Sequence, residues 1–375
     1  MQPRTVVHLI DELKVGGAQT HLVTMLAYLR RFPQFDHRVV TLFGDGPMAD
    51  PILNLGVELT ILDLRHQFAH WRFDQAVELL RQTLASMRPD LVEAHLTWSR
   101  LLGLFAARTL SVPQRIGFEV GDIYLHSPPI RAWNFTSQAY IDKLIVCSAA
   151  LGHWVYQTHR IRNSKMTILH NCVDATTFNP SIPPAGDIAA WKRPDTVLFA
   201  MIGSLGDGVN KRTDIGIRAL AQVRNAGFDV DLVIAGDGNQ RPELEQMAST
   251  LGIADHVRFL GVRSDIPGVL AACDGFCHAA PFEPFGIVAL EAMAMGLPVI
   301  VPDQGGIAEA VQPGLTGFIY PALDVQGLSR SMITLASQPE VRTTMGKAAR
   351  QDVLGRFTVE QYVHRLYMLY GYPLQ

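Results

Sequence analysis

The chain has 375 residues, too many for one ordinary core, so two domains of roughly 150–200 residues each are expected. Hydrophobic residues make up 48% and charged residues 18%, which excludes a disordered, collagenous or low-complexity chain. A net charge of −3 supplies no global field for a nucleic-acid partner, and no run of eighteen apolar residues announces a transmembrane helix.

The opening "MQPRTVVHLIDELKVGG" carries charges where a signal peptide needs an apolar core, and reads instead as a first strand. Further strand candidates follow in order: "HRVVTLF", "VELTILDL", "LVEAH", "QRIGFEV", "KLIVCS" and "MTILHN". Helix-period stretches such as "QTHLVTMLAYLRRF" and "FDQAVELLRQTLASM" lie between them. Near-continuous apolar strands separated by helices imply a parallel sheet covered on both faces. Residues 179–195, "NPSIPPAGDIAAWKRPD", carry four prolines and no clear period, so they read as an interdomain linker. The rhythm then restarts with "TVLFAMIG", "VDLVIAGDG", "HVRFLG", "GFCHAA", "PVIVPD" and "TGFIY". The expected fold is α/β, with two doubly wound Rossmann-like domains, 1–178 and 196–356, facing across a cleft. The aromatic, amphipathic segment 357–375 is expected to pack back on the first domain.

All four cysteines (Cys147, Cys172, Cys273 and Cys277) sit in apolar runs, which suits reduced thiols in a cytoplasmic protein. "CDGFCH" offers two thiols and an imidazole, but zinc needs a further ligand, so no metal is expected there. No Asp-x-Asp or histidine–carboxylate cluster stands out at a strand end either.

The segment "EPFGIVALEAMAMGLPVI" places Glu283 before a Phe-Gly turn and Glu291 inside an apolar helix pattern. A helix starting near Gly286 would aim the N–H groups of Phe285, Gly286 and Ile287 at an anion. Eight residues of helix span about 12 Å, comparable to a nucleoside diphosphate sugar from ribose to hexose. Taken alone, the two acids read equally as a surface glutamate and a first-turn glutamate favoured by the helix dipole. Other strand ends share the pattern. "KVGGAQTH" brings Gly16 and Gly17 to a helix start, and "IGSLGDGVNKRTDIG" brings Ser204, Lys211 and Arg212 to another. A diphosphate needs such cations, although a solvated helix start would carry them too.

Together these stretches resemble the family-4 retaining glycosyltransferases of the GT-B fold. The resemblance runs in order through "GGAQ", "DKLIVCS", "ILHNCVDATTF", "GSLGDGVNKR", "GDGNQRPEL", "VRFLG", the E-x7-E segment Glu283–Val299, Gly305-Gly306 with Glu309, and "GLTG". It implies a nucleotide-sugar donor as substrate, no separate cofactor, and transfer of a hexose-type sugar to a hydroxyl acceptor. Under it, Glu291 takes the ribose, Glu283 the donor sugar, and the amides of Phe285, Gly286 and Ile287 the sugar and phosphate. Lys211, with Arg212 or Gly16-Gly17, stabilises the departing diphosphate. His95, ending "LVEAH", is a further catalytic candidate beside a structural reading. Two departures stand out. Ser204 occupies a place where the family usually has arginine, followed by a lengthening "GDGVN", and Val120 beside Glu119 stands where it often has histidine.

Rival readings remain at this stage. One is a non-catalytic sugar-nucleotide-binding homologue. Another is an NAD-type oxidoreductase, although no G-x-G-x-x-G has the required spacing. A glycosidase would need its two carboxylates within about 5.5 Å. The loops "RHQFAHWRF" and "IYLHSPPIRAW" mix arginine, histidine and aromatics, which suits a sugar or lipid-linked acceptor and a peripheral contact with the inner membrane surface.

Overall fold

Each apolar run becomes a parallel strand, and the helices between them cover the sheet faces. The computed structural model describes residues 3–121, 127–206 and 211–372. The chain forms two compact units, residues 1–171 with 359–375, and residues 172–358.

The first unit carries β1 (Arg4–Ile10), β2 (Phe35–Thr41), β3 (Glu58–Ile61), β4 (Leu91–His95), β5 (Gln114–Glu119), β6 (Lys143–Val146) and β7 (Met166–Ile168). They pair in the order β3-β2-β1-β4-β5-β6-β7, all parallel. Val6, Val7, Leu9 and Ile10 of β1 are fully buried, as a strand covered on both faces requires. Beyond β1, the Asp11 carboxylate accepts from the Trp98 and Ser99 amides at 3.0 and 2.6 Å. This anchors a π-helical turn, Ser99–Gly103, that drives Arg100 into the interior. There its Nη1 meets Glu119 Oε2 at 2.6 Å, a buried ion pair.

The second unit carries β8 (Val197–Ile202), β9 (Val230–Ala235), β10 (Val257–Gly261), β11 (Gly275–Cys277), β12 (Val299–Pro302) and β13 (Gly317–Tyr320). Their order is β10-β9-β8-β11-β12-β13, again parallel. In both sheets the order reverses beside the first strand, the topological switch point of a doubly wound fold. Among the described residues, no helix is long and apolar enough to cross a membrane.

The segment 179–195 differs from the expected linker and belongs to the second unit. It contains a short helix, Gly186–Trp191, whose Ile188 is fully buried, and the Ala185 amide donates to the Gly268 carbonyl at 2.8 Å. Prolines break the helical period without preventing packing, so composition alone misplaced this boundary.

The last helix, Val359–Leu369, packs in the first unit against the helix Gly17–Leu29. It buries Tyr362, Val363, Leu366 and Tyr367, and Tyr367 lies edge-on to Phe35 with centroids 4.6 Å apart. The Gln114 amide donates to the Tyr370 carbonyl at 3.0 Å. The first unit is therefore completed by the end of the chain. Leu366→Ala should cost about 2–5 kcal/mol through the cavity it leaves. Hydrogen exchange should show lost protection in β1 and β2 and unchanged protection in β8 and β9. Uniform loss in both sheets would contradict this division.

Candidate active site

The second unit concentrates its polar groups beyond the carboxyl ends of β8 and β11, the strands that flank the switch point. Glycines let these strand ends press together. A Cβ on Gly236, after β9, would lie 1.9 Å from the Gly203 carbonyl oxygen, so only glycine fits. After β12, Gly305 adopts φ +81°, and a Cβ there would lie 2.4 Å from the Glu283 carbonyl oxygen. The next amide, Gly306, donates to that same carbonyl at 2.8 Å. The turn after β12 thus holds the loop that carries Glu283. Gly286, at φ +77°, then opens the helix Ile287–Ala294.

Lys211 and Glu283 meet here. Lys211 Nζ donates to Glu283 Oε2 at 2.6 Å, and both side chains are largely buried. His278, just past the end of β11, places Nε2 3.2 Å from the same oxygen. Burial pushes the Glu283 carboxyl up, but Lys211 and His278 outweigh it and hold it at about 2. Burial lowers the His278 pKa against the pull of Glu283. A crevice beside the pair is lined by Ile202, Gly203, Lys211, Thr213 and His278.

Glu291, in the second turn of the helix, has the opposite environment. Burial alone pushes its carboxyl up to about 7. Among the described residues, nothing donates a hydrogen bond to it. One short segment therefore holds a firmly ionised acid and an acid poised near neutrality. Such a pair of divergent carboxyls marks functional chemistry more often than structure.

The remaining expected residues are distributed as follows. Phe285 is buried, with its ring 5.7 Å from Phe357. Ile287 is the first residue of the helix, whose opening N–H groups lack acceptors within it. Ser204 is exposed and accepts from the Gly206 amide at 3.2 Å. Arg212 donates twice to Asp214, at 2.8 and 2.9 Å, which turns its guanidinium away from Lys211's role. The lengthened turn expected at 207–210 lies outside the described residues, as does the start of the loop 123–133. In the first unit, Gly16 and Gly17 open the helix after β1, and a Cβ on Gly17 would meet nothing within 4 Å. His95 ends β4 but is only 3% exposed and stacks on Phe118. Glu119, beside Val120, is spent on Arg100.

The sequence reading passed over His278, which it considered only as a metal ligand. Its signal was a polar residue closing an apolar strand at the sheet's carboxyl edge. It also missed that His8, far away in sequence, joins Glu93 and His95, so a histidine–carboxylate cluster does exist.

Residues 15–177 match the sequence profile of Glycosyltransferase Family 4, and residues 190–352 match that of Glycosyl transferases group 1. The chain belongs to the family-4 glycosyltransferases. A D-inositol 3-phosphate glycosyltransferase of Kribbella flavida is 28% identical over 287 residues, 71% of this chain and 67% of that one. An N-acetyl-alpha-D-glucosaminyl L-malate synthase of Bacillus anthracis is 34% identical over 160 residues, 43% of this chain and 42% of that one. Between these two relatives the chain spans 42% to 67% of their length. Among solved structures, Anabaena HepE in complex with UDP and glucose superposes with a TM-score of 0.85 at 22% identity, covering 98% of this chain and 99% of that one. WaaG, a glycosyltransferase involved in lipopolysaccharide biosynthesis, gives 0.72 at 18% identity, covering 98% and 100%. These likenesses show the GT-B fold.

For this family-4 glycosyltransferase, the Glu291 environment has a pH consequence. Below its ordinary value of 4.5 the carboxyl is protonated folded or unfolded, and burial costs nothing. The cost grows as pH rises and is complete above about 7. Without ligand, Glu291→Gln should therefore be more stable than the parent by on the order of 2–3 kcal/mol at pH 8, and equal to it at pH 4. Urea unfolding at the two pH values measures this. The same difference at both would contradict it.

Proposed function

We propose that the protein transfers a hexose-type sugar from a nucleotide diphosphate sugar to a hydroxyl acceptor, with retention and with no metal ion taking part in the transfer. The observation that carries this reading is the ionised Glu283 held on Lys211 at the switch point, one helix start away from Glu291. Lys211 and the opening amides of the Ile287–Ala294 helix receive the diphosphate. Glu291 accepts from the ribose hydroxyls, and Glu283 from hydroxyls of the donor sugar. Negative charge grows on the diphosphate as the glycosidic bond breaks, and a preorganised ammonium stabilises it most at that moment. His278 and Lys211 fix the Glu283 carboxylate, so it need not reorient during transfer. For retention, the acceptor hydroxyl attacks from the face the diphosphate leaves, and a departing phosphate oxygen takes its proton.

The products belong to glycan, glycolipid or polysaccharide synthesis. A lipid-linked acceptor is favoured by a groove of about 650 Å³ in the first unit, lined by Phe73, Val77, Leu102, Phe105, Trp133 and Tyr140. Trp71 nearby in sequence is 80% exposed, as a peripheral contact with a membrane surface requires. All four cysteines are buried, which suits the cytoplasm.

Glu291→Ala should weaken nucleoside diphosphate and nucleotide sugar alike, by about 1–3 kcal/mol. Glu283→Ala should leave the nucleoside diphosphate nearly untouched and chiefly lower turnover. Calorimetry with the diphosphate, then single-turnover transfer on mutants that circular dichroism shows folded, measures both. Equal, small effects of both mutations on every ligand would overturn these roles.

The charges of Lys211 and the helix start leave no task for magnesium or manganese at the phosphates. Adding either ion should not raise the transfer rate, and strict dependence on one would show that the phosphate chemistry lies elsewhere.

A further inference from the structure

A second constellation lies in the first unit. β1 pairs with β4 so that His8 faces Glu93 and Ile10 faces His95. Residues two apart share a strand face, so His8, Glu93 and His95 converge on one side of the sheet. His8 and Glu93 are fully buried and His95 nearly so. His8 Nδ1 lies 3.1 Å from Glu93 Oε2, and His95 Nε2 lies 3.6 Å from the same oxygen. Yet His8 Nδ1, His95 Nε2 and both Glu93 oxygens lack any contact with hydrogen-bond geometry. These groups are close together but not aimed along one another's N–H directions.

Donors that converge on a shared centre have this geometry. Zinc binds nitrogen and oxygen at about 2.0–2.1 Å, which places tetrahedral ligands about 3.3 Å apart. The separations of 3.1 and 3.6 Å bracket that value. Complete burial of the Glu93 carboxylate carries a desolvation cost, and a divalent cation offsets that cost. The outer nitrogen of His8 is also held. Its Nε2 lies 3.0 Å from His37 Nδ1, and His37 Nε2 lies 3.2 Å from the Tyr367 hydroxyl. Metal-bound histidines are oriented through their second nitrogen in this way.

We propose that His8, Glu93 and His95 bind a divalent transition-metal ion, zinc by its ligand set, as a structural site. Two imidazoles and a carboxylate suit zinc better than magnesium or calcium, which take oxygen ligands. The second Glu93 oxygen is available to complete the coordination. Being fully enclosed, the ion has no contact with substrate and takes no part in transfer. It joins β1 to β4 and, through His37 and Tyr367, fastens the final helix to the sheet. The thiols of "CDGFCH" are not involved: Cys273 Sγ donates to the Val269 carbonyl, and Cys277 is packed in the second unit's core.

The test is elemental analysis of full-length protein produced with zinc in the medium and dialysed against a weak chelator, followed by zinc-edge X-ray absorption. The expected result is about one zinc per chain, with only nitrogen and oxygen neighbours. Zinc should be lost in Glu93→Gln and His8→Gln and kept in Cys273→Ser and Cys277→Ser. Removing zinc with a strong chelator should lower the melting temperature of the parent, and adding zinc back should restore it. Metal-free parent protein whose melting is unmoved by zinc would overturn the proposal. So would sulfur neighbours, or full zinc retention in Glu93→Gln. The measurements on the parent decide the matter even if a ligand variant fails to fold.

Discussion

The contact between the Lys211 ammonium and the Glu283 carboxylate is the constraint on which the site depends. It ties the loop after β8 to the loop after β11, the two strands that flank the switch point. Each partner is mostly removed from water, so each charge is stabilised by the other. The neighbouring backbone follows from this requirement. Gly236 allows β9 to crowd against Gly203, and Gly305 allows the turn after β12 to seat itself on Glu283. His278 approaches the same carboxylate oxygen as Lys211. Close-packed turns at the strand ends therefore fix the Glu283 carboxylate.

Glu291 differs because, among the described residues, nothing comparable surrounds it. Two carboxyls eight residues apart have opposite tendencies, one held ionised by a cation and one driven toward neutrality by burial. This divergence suits a ligand with two ends. The Glu283 anion, held by Lys211 and His278, is ordered without a ligand. An acid without a protein donor gains its hydrogen bonds only when a ligand brings hydroxyls, so binding energy is concentrated on the ligand. The destabilisation of the ligand-free protein is the counterpart of that gain.

Much of this was legible in the sequence, and the exceptions have physical causes. Strands such as "TVLFAMIG" and "LVEAH" are apolar, short and bounded by turn residues, so their period identifies them. The sequence expects Glu283, Glu291 and Lys211 around helix starts that follow strands, and the structure has them at such positions. Arg212 was readable as a cation but not as a partner of Asp214, since a left-handed backbone at φ +50° turns it aside. The 179–195 boundary failed because proline content reports broken periodicity, not absence of packing. His8, His37, Glu93 and Tyr367 were invisible as a group because strand order, not sequence order, makes them neighbours.

A crystal structure of the protein with a nucleoside diphosphate bound tests the central claim most directly. The account predicts diphosphate oxygens within hydrogen-bonding distance of Lys211 Nζ and of the first amides of the Ile287–Ala294 helix, with ribose hydroxyls on Glu291. A nucleotide ordered anywhere else, with Lys211 and Glu283 untouched and Glu291 still without a partner, would contradict it.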